Sequence, residues 1–208
     1  MYEKSQPPSF FRQKMVKFKK PQKGGASMSK GKRVFVAIPA WTELRRSAAL
    51  FRESHPEYHV RWLKHEHLHI TLVPPWQCSD IEEVCRIVHE VAAMFPPVPL
   101  SFDTIAATSS KRKTRLIWAI GQAPDKLHEL RRELQAKLGS APDEREFLLH
   151  LTLARFSWRE RMDFSALPES VEWRGSLTSL SLYESILHPS GAEYRVLCEN
   201  LLTPLRDG

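Results

Sequence analysis

A pattern of histidine, an apolar residue, threonine and leucine occurs twice in this chain. The copies run from His69 to Leu72 and from His150 to Leu153, and each lies in a stretch of strand-forming apolar residues. In a strand, residues two apart share a face, so the histidine and the threonine of each copy point one way and the apolar residues the other. Each copy therefore predicts one imidazole and one hydroxyl on a rigid support.

Two such pairs facing one cleft suit proton transfer around a phosphorus atom. Imidazoles titrate near neutral pH, so one can take a proton from water while the other protonates the leaving oxygen. The hydroxyls of Thr71 and Thr152 can donate to non-bridging phosphoryl oxygens as negative charge builds. Arg155 suits the same anion, but strict alternation places it on the face opposite His150. It reaches the cleft only if the strand twists or ends near Ala154.

A structural role is the alternative for each motif, because a single His-x-Thr in a strand more often serves packing than catalysis. The pairing favours chemistry. Both halves of the chain contain a strand, a helix and then a motif strand, and the two motif histidines are 81 residues apart. We interpret this as a degenerate internal duplication, which predicts two lobes in pseudo-twofold symmetry around one cleft.

Hydrophobic patterning predicts elements that position these motifs. The predicted helices run from Thr42 to Ser54, from a cap at Ser79 or Asp80 to Met94, and from Asp125 to Leu138. The predicted strands are Arg33 to Ile38, Val60 to Val73, Val98 to Ala107, Leu116 to Ile120, Phe147 to Phe156, Val171 to Trp173, Leu177 to Ser185 and Tyr194 to Leu202. Pro74 and Pro75 are predicted to end the second strand, and residues 189 to 191 to form a hairpin turn.

The charge distribution argues against reading the net charge of +7 as a nucleic-acid signal. Residues 1 to 34 contain ten Lys and Arg residues and one acidic residue, which leaves 21 basic and 23 acidic residues in the rest of the chain. We expect residues 1–31 to form a disordered basic tail and residues 32–208 to form a single domain. No apolar run is long enough to span a membrane.

Three cysteines, Cys78, Cys85 and Cys198, form an odd set without metal-ligand spacing. This argues against a disulfide framework and favours a reducing, cytoplasmic location. His65 and His67 alternate with His69 and could suggest a metal site, but Leu68 stands where a metallo-hydrolase motif needs aspartate. We therefore expect no metal, and place His65 and His67 at the cleft rim.

Other features leave nucleic-acid contact open. The basic turn at residues 111–115 could follow an RNA backbone, although a charged turn is more often simply solvated. Trp62, Trp76 and Trp118 could stack a base, although core packing is the more common role of an isolated tryptophan. The chain lacks both the P-loop and the dinucleotide-binding glycine patterns, so we expect no nucleotide cofactor.

Several segments between Lys32 and Leu202 resemble one family. They are residues 33–39 (RVFVAIP), 60–62 (VRW), 68–72 (LHITL), 150–155 (HLTLAR) and 181–185 (SLYES). The paired motifs resemble those of the two-histidine (2H) phosphoesterase superfamily, and the flanking segments resemble its RNA 2',3'-cyclic phosphodiesterases, also called 2'-5' RNA ligases. One departure is Val73-Pro74-Pro75-Trp76, where the family often has a lysine and a glycine turn.

The resemblance implies a bilobal α+β fold, with two antiparallel sheets around a central cleft and helices outside. It implies hydrolysis of an RNA 2',3'-cyclic phosphate end to a 2'-phosphate without metal or cofactor, with 2'-5' ligation as the secondary reverse reaction, and we expect a monomer. By motif position, His69 is the proton donor and His150 the proton acceptor, and Thr71, Thr152 and Arg155 bind phosphate. A small cyclic nucleotide as substrate and a noncatalytic RNA-binding module remain the alternatives.

Overall fold

A computed structural model describes residues 31–108, 115–139, 147–156, 163–189 and 191–203. The helices are α1 (Thr42–Ser54), α2 (Ile81–Met94) and α3 (Asp125–Lys137). The strands are β1 (Lys32–Pro39), β2 (Arg61–Trp62), β3 (His69–Cys78), β4 (Val98–Thr108), β5 (Arg115–Gly121), β6 (Leu149–Phe156), β7 (Glu169–Leu177), β8 (Ser179–His188) and β9 (Gly191–Leu201). The predicted basic tail lies outside these residues except for Gly31, and so does most of the basic turn.

Two antiparallel sheets form the α+β, bilobal arrangement that the resemblance implied. The first sheet has the order β3-β1-β8-β9, and the second has the order β2-β6-β5-β4-β7. Each motif strand pairs with the strand that precedes the helix of its own half, β3 with β1 and β6 with β5. β2 joins the second sheet, whereas β8 and β9 complete the first, so the two halves of the chain interlock.

The helices bury apolar faces against these sheets in one continuous core. The buried helical side chains include Leu44 and Phe51 of α1, Val88 and Val91 of α2, and Leu127, Leu130 and Leu134 of α3. The carboxylate of Asp80, one of the two caps that the sequence predicted, accepts a hydrogen bond from the Glu83 amide at 2.9 Å at the start of α2. In the described part of the chain, none of the helices is both long and apolar enough to cross a membrane.

The 81-residue period also governs strand pairing. Ala37 lies opposite Thr71 in the first sheet, and 81 residues further on Trp118 lies opposite Thr152 in the second. The same period relates Pro39, opposite His69, to Ile120, opposite His150. The predicted duplication is therefore present in the register of the backbone as well as in the motifs.

The predicted strand from Val60 to Val73 is wrong in its bounds. β2 ends at Trp62, a short 3-10 turn covers His65–His67, and β3 continues through both prolines to Cys78. Proline is tolerated here because β3 is an edge strand. Proline has no backbone N–H to donate, but an edge strand is hydrogen-bonded on one side only, so this need not interrupt the pairing. Pro74 and Pro75 together face the single residue Phe35, in a β-bulge.

The expectation of unpaired cysteines is also wrong, because Cys85 of α2 and Cys198 of β9 form a disulfide. Their Cα atoms are 6.1 Å apart, and the sequence separation is 113 residues. Cys78 is free and buried. Spacing along the chain could not reveal this bond, since it depends on how α2 packs across the first sheet.

Breaking the Cys85–Cys198 disulfide should destabilise the protein. Because the bond closes a long loop of the unfolded chain, we expect Cys85→Ser to lower the free energy of unfolding by about 2 to 4 kcal/mol. Thermal melts with and without dithiothreitol test this. The reductant should lower the melting temperature of the wild type and leave that of Cys85→Ser unchanged. A wild type that melts identically in both conditions would contradict the cross-link.

Candidate active site

A one-residue bulge in β6 brings Arg155 onto the face that carries His150 and Thr152. The register between β5 and β6 shifts by one residue after Thr152. Leu153 and Ala154 are consequently both buried, and the outward alternation resumes at Arg155, which is half-buried. The sequence left the position of Arg155 conditional on a local departure from alternation, and the bulge supplies that departure.

β3 contains the equivalent bulge after Thr71. Leu72 and Val73 are both buried, and Pro74 comes next on the outward face. Pro74 therefore occupies the place in the first lobe that Arg155 occupies in the second. Val73-Pro74-Pro75-Trp76 stands where the family often has a lysine and a glycine turn, and Pro74 supplies no positive charge to match that of Arg155.

Further hydrogen bonds satisfy the carbonyl groups of the two bulges. The Leu72 carbonyl accepts a hydrogen bond from Nε of Arg131, in α3, at 3.1 Å. The Leu153 carbonyl accepts one from the Leu63 amide, just after β2, at 2.9 Å. Each extra residue thus has its carbonyl satisfied, as a buried backbone group requires.

Equivalent hydrogen bonds orient the two motif histidines. Nδ1 of His69 lies 2.7 Å from the His67 carbonyl, and Nδ1 of His150 lies 2.9 Å from the Leu148 carbonyl. A carbonyl oxygen only accepts, so Nδ1 must carry the hydrogen in both rings. Nε2 is then the nitrogen left to meet a substrate, and in the neutral ring it is an acceptor.

Aromatic rings surround His69 on the first sheet. Its ring centroid lies 4.9 Å from that of Phe35, 5.0 Å from Tyr194 and 5.8 Å from Tyr183. Phe35 stacks on Tyr183 at 5.1 Å, and together with Ala37 these two residues form a small buried cluster. This apolar lining fixes the imidazole and removes water from much of its surface.

His150 has a different neighbour. The indole of Trp118 meets it edge-on, with centroids 5.0 Å apart. The equivalent position in the first lobe is Ala37, so a large ring stands beside one motif where a methyl group stands beside the other. The two lobes therefore have the same strand pairing around their histidines, but the side chains next to the two histidines differ.

These surroundings lower the pKa of both imidazoles. Burial is the main cause at His69 and, with smaller contributions from the positive charges of His150, Arg155 and His67, lowers its pKa to about 4. Burial also lowers the pKa of His150. β3 contacts β6, and the charges of His150 and Arg155 in the second lobe contribute to the low pKa of His69 in the first, so the two motifs lie at one cleft.

The remaining candidates from the sequence are distributed between rim and core. His65 and His67 lie in the 3-10 turn before β3, and the edge of His67 meets Tyr194 at 5.3 Å. Trp62 packs in the core against Phe51, 6.1 Å away, and Trp76 packs against the same core. Within the described ranges, no group of three or more His, Cys, Asp or Glu side chains could hold a metal ion.

Sequence reasoning missed Tyr194, whose ring contacts that of His69, and the position of Arg61 beside Arg155. Tyr194 belongs to β9, more than 120 positions after His69 along the chain, and no local pattern links them. Arg61 stands on β2 directly opposite Arg155. The only signal for Arg61 was its place in the short VRW segment, because the strand pairing that puts it opposite Arg155 depends on tertiary structure.

Acid should destabilise the protein through His69. The unfolded imidazole binds a proton below about pH 6.5, whereas the folded one resists protonation until about pH 4. Stability contributed by neutral His69 is therefore present at neutral pH and lost as the pH falls through this window, by on the order of 3 kcal/mol. Urea unfolding from pH 7 to about pH 4 measures it, with His69→Gln as the non-titrating control. Equal pH dependence in both proteins would contradict the assignment.

Comparison with known proteins identifies the family of this chain. A family model for the 2'-5' RNA ligase superfamily matches residues 36–185. No curated protein matches the chain by sequence. Among solved structures, LigT of Escherichia coli is 26% identical, with a TM-score of 0.64 over 84% of this chain and 99% of LigT. TT0787 of Thermus thermophilus is 19% identical, with a TM-score of 0.68 over 84% of this chain and 100% of TT0787, and so supports the fold alone. The chain belongs to the 2'-5' RNA ligase superfamily of 2H phosphoesterases.

Proposed function

We propose that the protein hydrolyses 2',3'-cyclic phosphate ends of RNA to 2'-phosphates, with His69 and His150 as the catalytic acid and base. The observation that carries this proposal is the pair of equivalent hydrogen bonds that fixes Nδ1 of each histidine and leaves Nε2 for the substrate. A hydrolysis at phosphorus needs one group to accept a proton and another to donate one. Two oriented imidazoles in one cleft provide both.

In the proposed reaction, His150 takes a proton from a water molecule whose oxygen attacks the cyclic phosphorus. The bond between phosphorus and the 3' oxygen breaks, and His69 gives its proton to that oxygen. The products are a free 3' hydroxyl and a 2'-phosphate. His150 then releases its proton to solvent and His69 takes one up, which returns both histidines to their starting protonation states. Thr71, Thr152 and Arg155 bind the non-bridging oxygens, whose negative charge grows as the water attacks.

The low pKa of His69 makes its protonation dependent on the substrate. In the empty cleft, burial and the charge of Arg155 keep the imidazole neutral at physiological pH. A phosphodiester anion offsets the charge of Arg155 and favours the imidazolium form. In this proposal the acid is therefore assembled on binding, and His69 takes up a proton as the phosphate enters.

Family relatives support a nucleotide as the ligand. LigT, which shares this fold, has been solved in complex with 3'-AMP at 25% identity to this chain and in complex with phosphate. A site that accepts a nucleoside monophosphate is compatible with a 2',3'-cyclic end, whose terminal unit is a nucleotide. Ligation of 2'-5' ends is the reverse reaction, and we propose it only as secondary.

Two other functions would use the same cleft. A 2H phosphodiesterase acting on a small cyclic nucleotide would turn over a mononucleotide as readily as an oligonucleotide. A noncatalytic RNA-binding module would show binding but no turnover for the histidine variants to lose. The two oriented imidazoles favour catalysis, because a module that only binds RNA does not require a pair of groups placed for proton transfer.

Replacing either motif histidine should abolish most activity. We expect His69→Ala and His150→Ala each to lower kcat by about 10²- to 10⁴-fold on an oligoribonucleotide with a 2',3'-cyclic phosphate end, because each removes one proton transfer. Product analysis by mass and by phosphatase sensitivity, with EDTA present throughout, measures this. Turnover that persists in either variant, or that EDTA abolishes in the wild type, would overturn the metal-free two-histidine reaction.

The motif threonines should matter through their hydroxyls. We expect Thr71→Val, which keeps the shape, to lower kcat/KM by about tenfold or more, whereas Thr71→Ser restores most of it. Because Thr71 is half-buried on the cleft face, melting temperatures of both variants should stay close to the wild type. A large loss of stability in Thr71→Val without a change in activity would mean that the hydroxyl serves the fold.

A further inference from the structure

Among the three aromatic rings that surround His69, the ring of Tyr194 is the one with exposed surface. Phe35 and Tyr183 are 2% and 4% exposed, so other side chains cover both of them. Tyr194 is half-buried, and its centroid lies 5.0 Å from that of His69. Of these rings, Tyr194 is therefore the one that a ligand beside His69 can contact.

None of the rings that contact Tyr194 in the described part of the chain is stacked on it. The planes of Phe35, His67 and His69 are inclined to the tyrosine ring by 74°, 68° and 86°. Rings at such angles meet edge to face, whereas stacked rings lie parallel and offset. The exposed part of the Tyr194 ring can therefore still accept a flat, parallel partner.

Exposed apolar side chains extend the surface around Tyr194. In the pairing of β8 with β9, Tyr194 lies opposite Ser185 and Val196 lies opposite Tyr183, which places both β9 residues on the face of Tyr183. Leu187 follows Ser185 by two positions and lies on the same face. Val196 is 53% exposed and Leu187 is 67% exposed. Such a surface suits a flat heteroaromatic ring better than a phosphate group, which needs charges or hydrogen bonds.

The proposed reaction places a nucleoside beside this surface. In that reaction, His69 gives its proton to the 3' oxygen, which is bonded to the ribose of the terminal nucleotide. Proton transfer requires the two groups to be within hydrogen-bond distance, so the ribose lies next to His69. The base is attached to the same sugar ring, and it therefore lies close to the side chains that surround His69.

We infer that Tyr194 stacks against the base of the nucleotide that carries the cyclic phosphate. This inference rests on the proposed function and deepens it, because it makes the substrate a nucleoside 2',3'-cyclic phosphate rather than any small cyclic phosphodiester. Every base has a flat π face, so stacking accepts each of them. Tyr194 is then a specificity-determining residue that selects for the presence of a base and not for its identity.

The test compares a substrate that has a base with one that lacks it. The substrates are adenosine 2',3'-cyclic phosphate and methyl ribofuranoside 2',3'-cyclic phosphate. Tyr194→Leu should lower kcat/KM for the adenosine substrate by about 5- to 100-fold, mainly through KM, and leave that for the methyl riboside within about twofold. Tyr194→Phe is the matched control, because it keeps the ring and should stay within about twofold of the wild type on both substrates.

The ratio of the two rates separates contact with the base from support of His69. Equal losses on both substrates in Tyr194→Leu would mean that the ring only holds His69 in place, and this would overturn the inference. No loss on either substrate would overturn it as well. A wild type that turns over both substrates equally well would do the same, and that measurement does not depend on the folding of any variant.

Binding measurements keep the inference separate from the proposed function. If the wild type turns over neither substrate, the proposed function fails, and equilibrium binding of 3'-AMP and ribose 3-phosphate still tests Tyr194. The wild type should bind 3'-AMP about 5- to 100-fold more tightly, and Tyr194→Leu should lose this preference. Equal affinity of the wild type and Tyr194→Leu for 3'-AMP would show that the tyrosine does not contact the base.

Discussion

One extra residue in each motif strand determines which side chains reach the cleft. In a regular β6 the side chain after Ala154 would turn toward the core, and a buried arginine without a charged partner costs several kcal/mol. The bulge instead sends two successive apolar residues inward and Arg155 outward. Because the bulge carbonyl of Leu153 is held by the amide of Leu63, the loop after β2 contributes to the position of Arg155.

The duplication gives the two lobes the same strand pairing and the same bulges. Different residues at corresponding positions give the lobes different chemistry. Pairing partners and bulges repeat at 81 residues, but Ala37 corresponds to Trp118 and Pro74 to Arg155. The second lobe therefore carries the positive charge that acts across the cleft on His69. The two histidines therefore have matching backbones and matching Nδ1 hydrogen bonds but different neighbours.

The sequence allowed prediction of features that depend on local patterns. Helix α1 was predicted at its observed bounds, the Asp80 cap of α2 was among the two anticipated, and the motif spacing indicated the two-lobed frame. Features that depend on contacts between distant strands could not be predicted. The continuation of β3 through Pro74 required knowing that β3 is an edge strand, and the Cys85–Cys198 bond required the packing of α2 on β9.

In the proposed binding of substrate, the two lobes have different roles, because one supplies positive charge and the other supplies aromatic rings. Arg155 belongs to the second sheet, whereas the rings of Phe35, Tyr183 and Tyr194 around His69 belong to the first. Phosphate groups are attracted to the cationic face, and removal of water by the aromatic face strengthens that attraction. Since the same aromatic lining lowers the proton affinity of His69, the first lobe alone disfavours the acid. In the proposed reaction, an anion bound by the second lobe would stabilise the imidazolium form of His69, so that substrate binding and protonation of the acid are coupled.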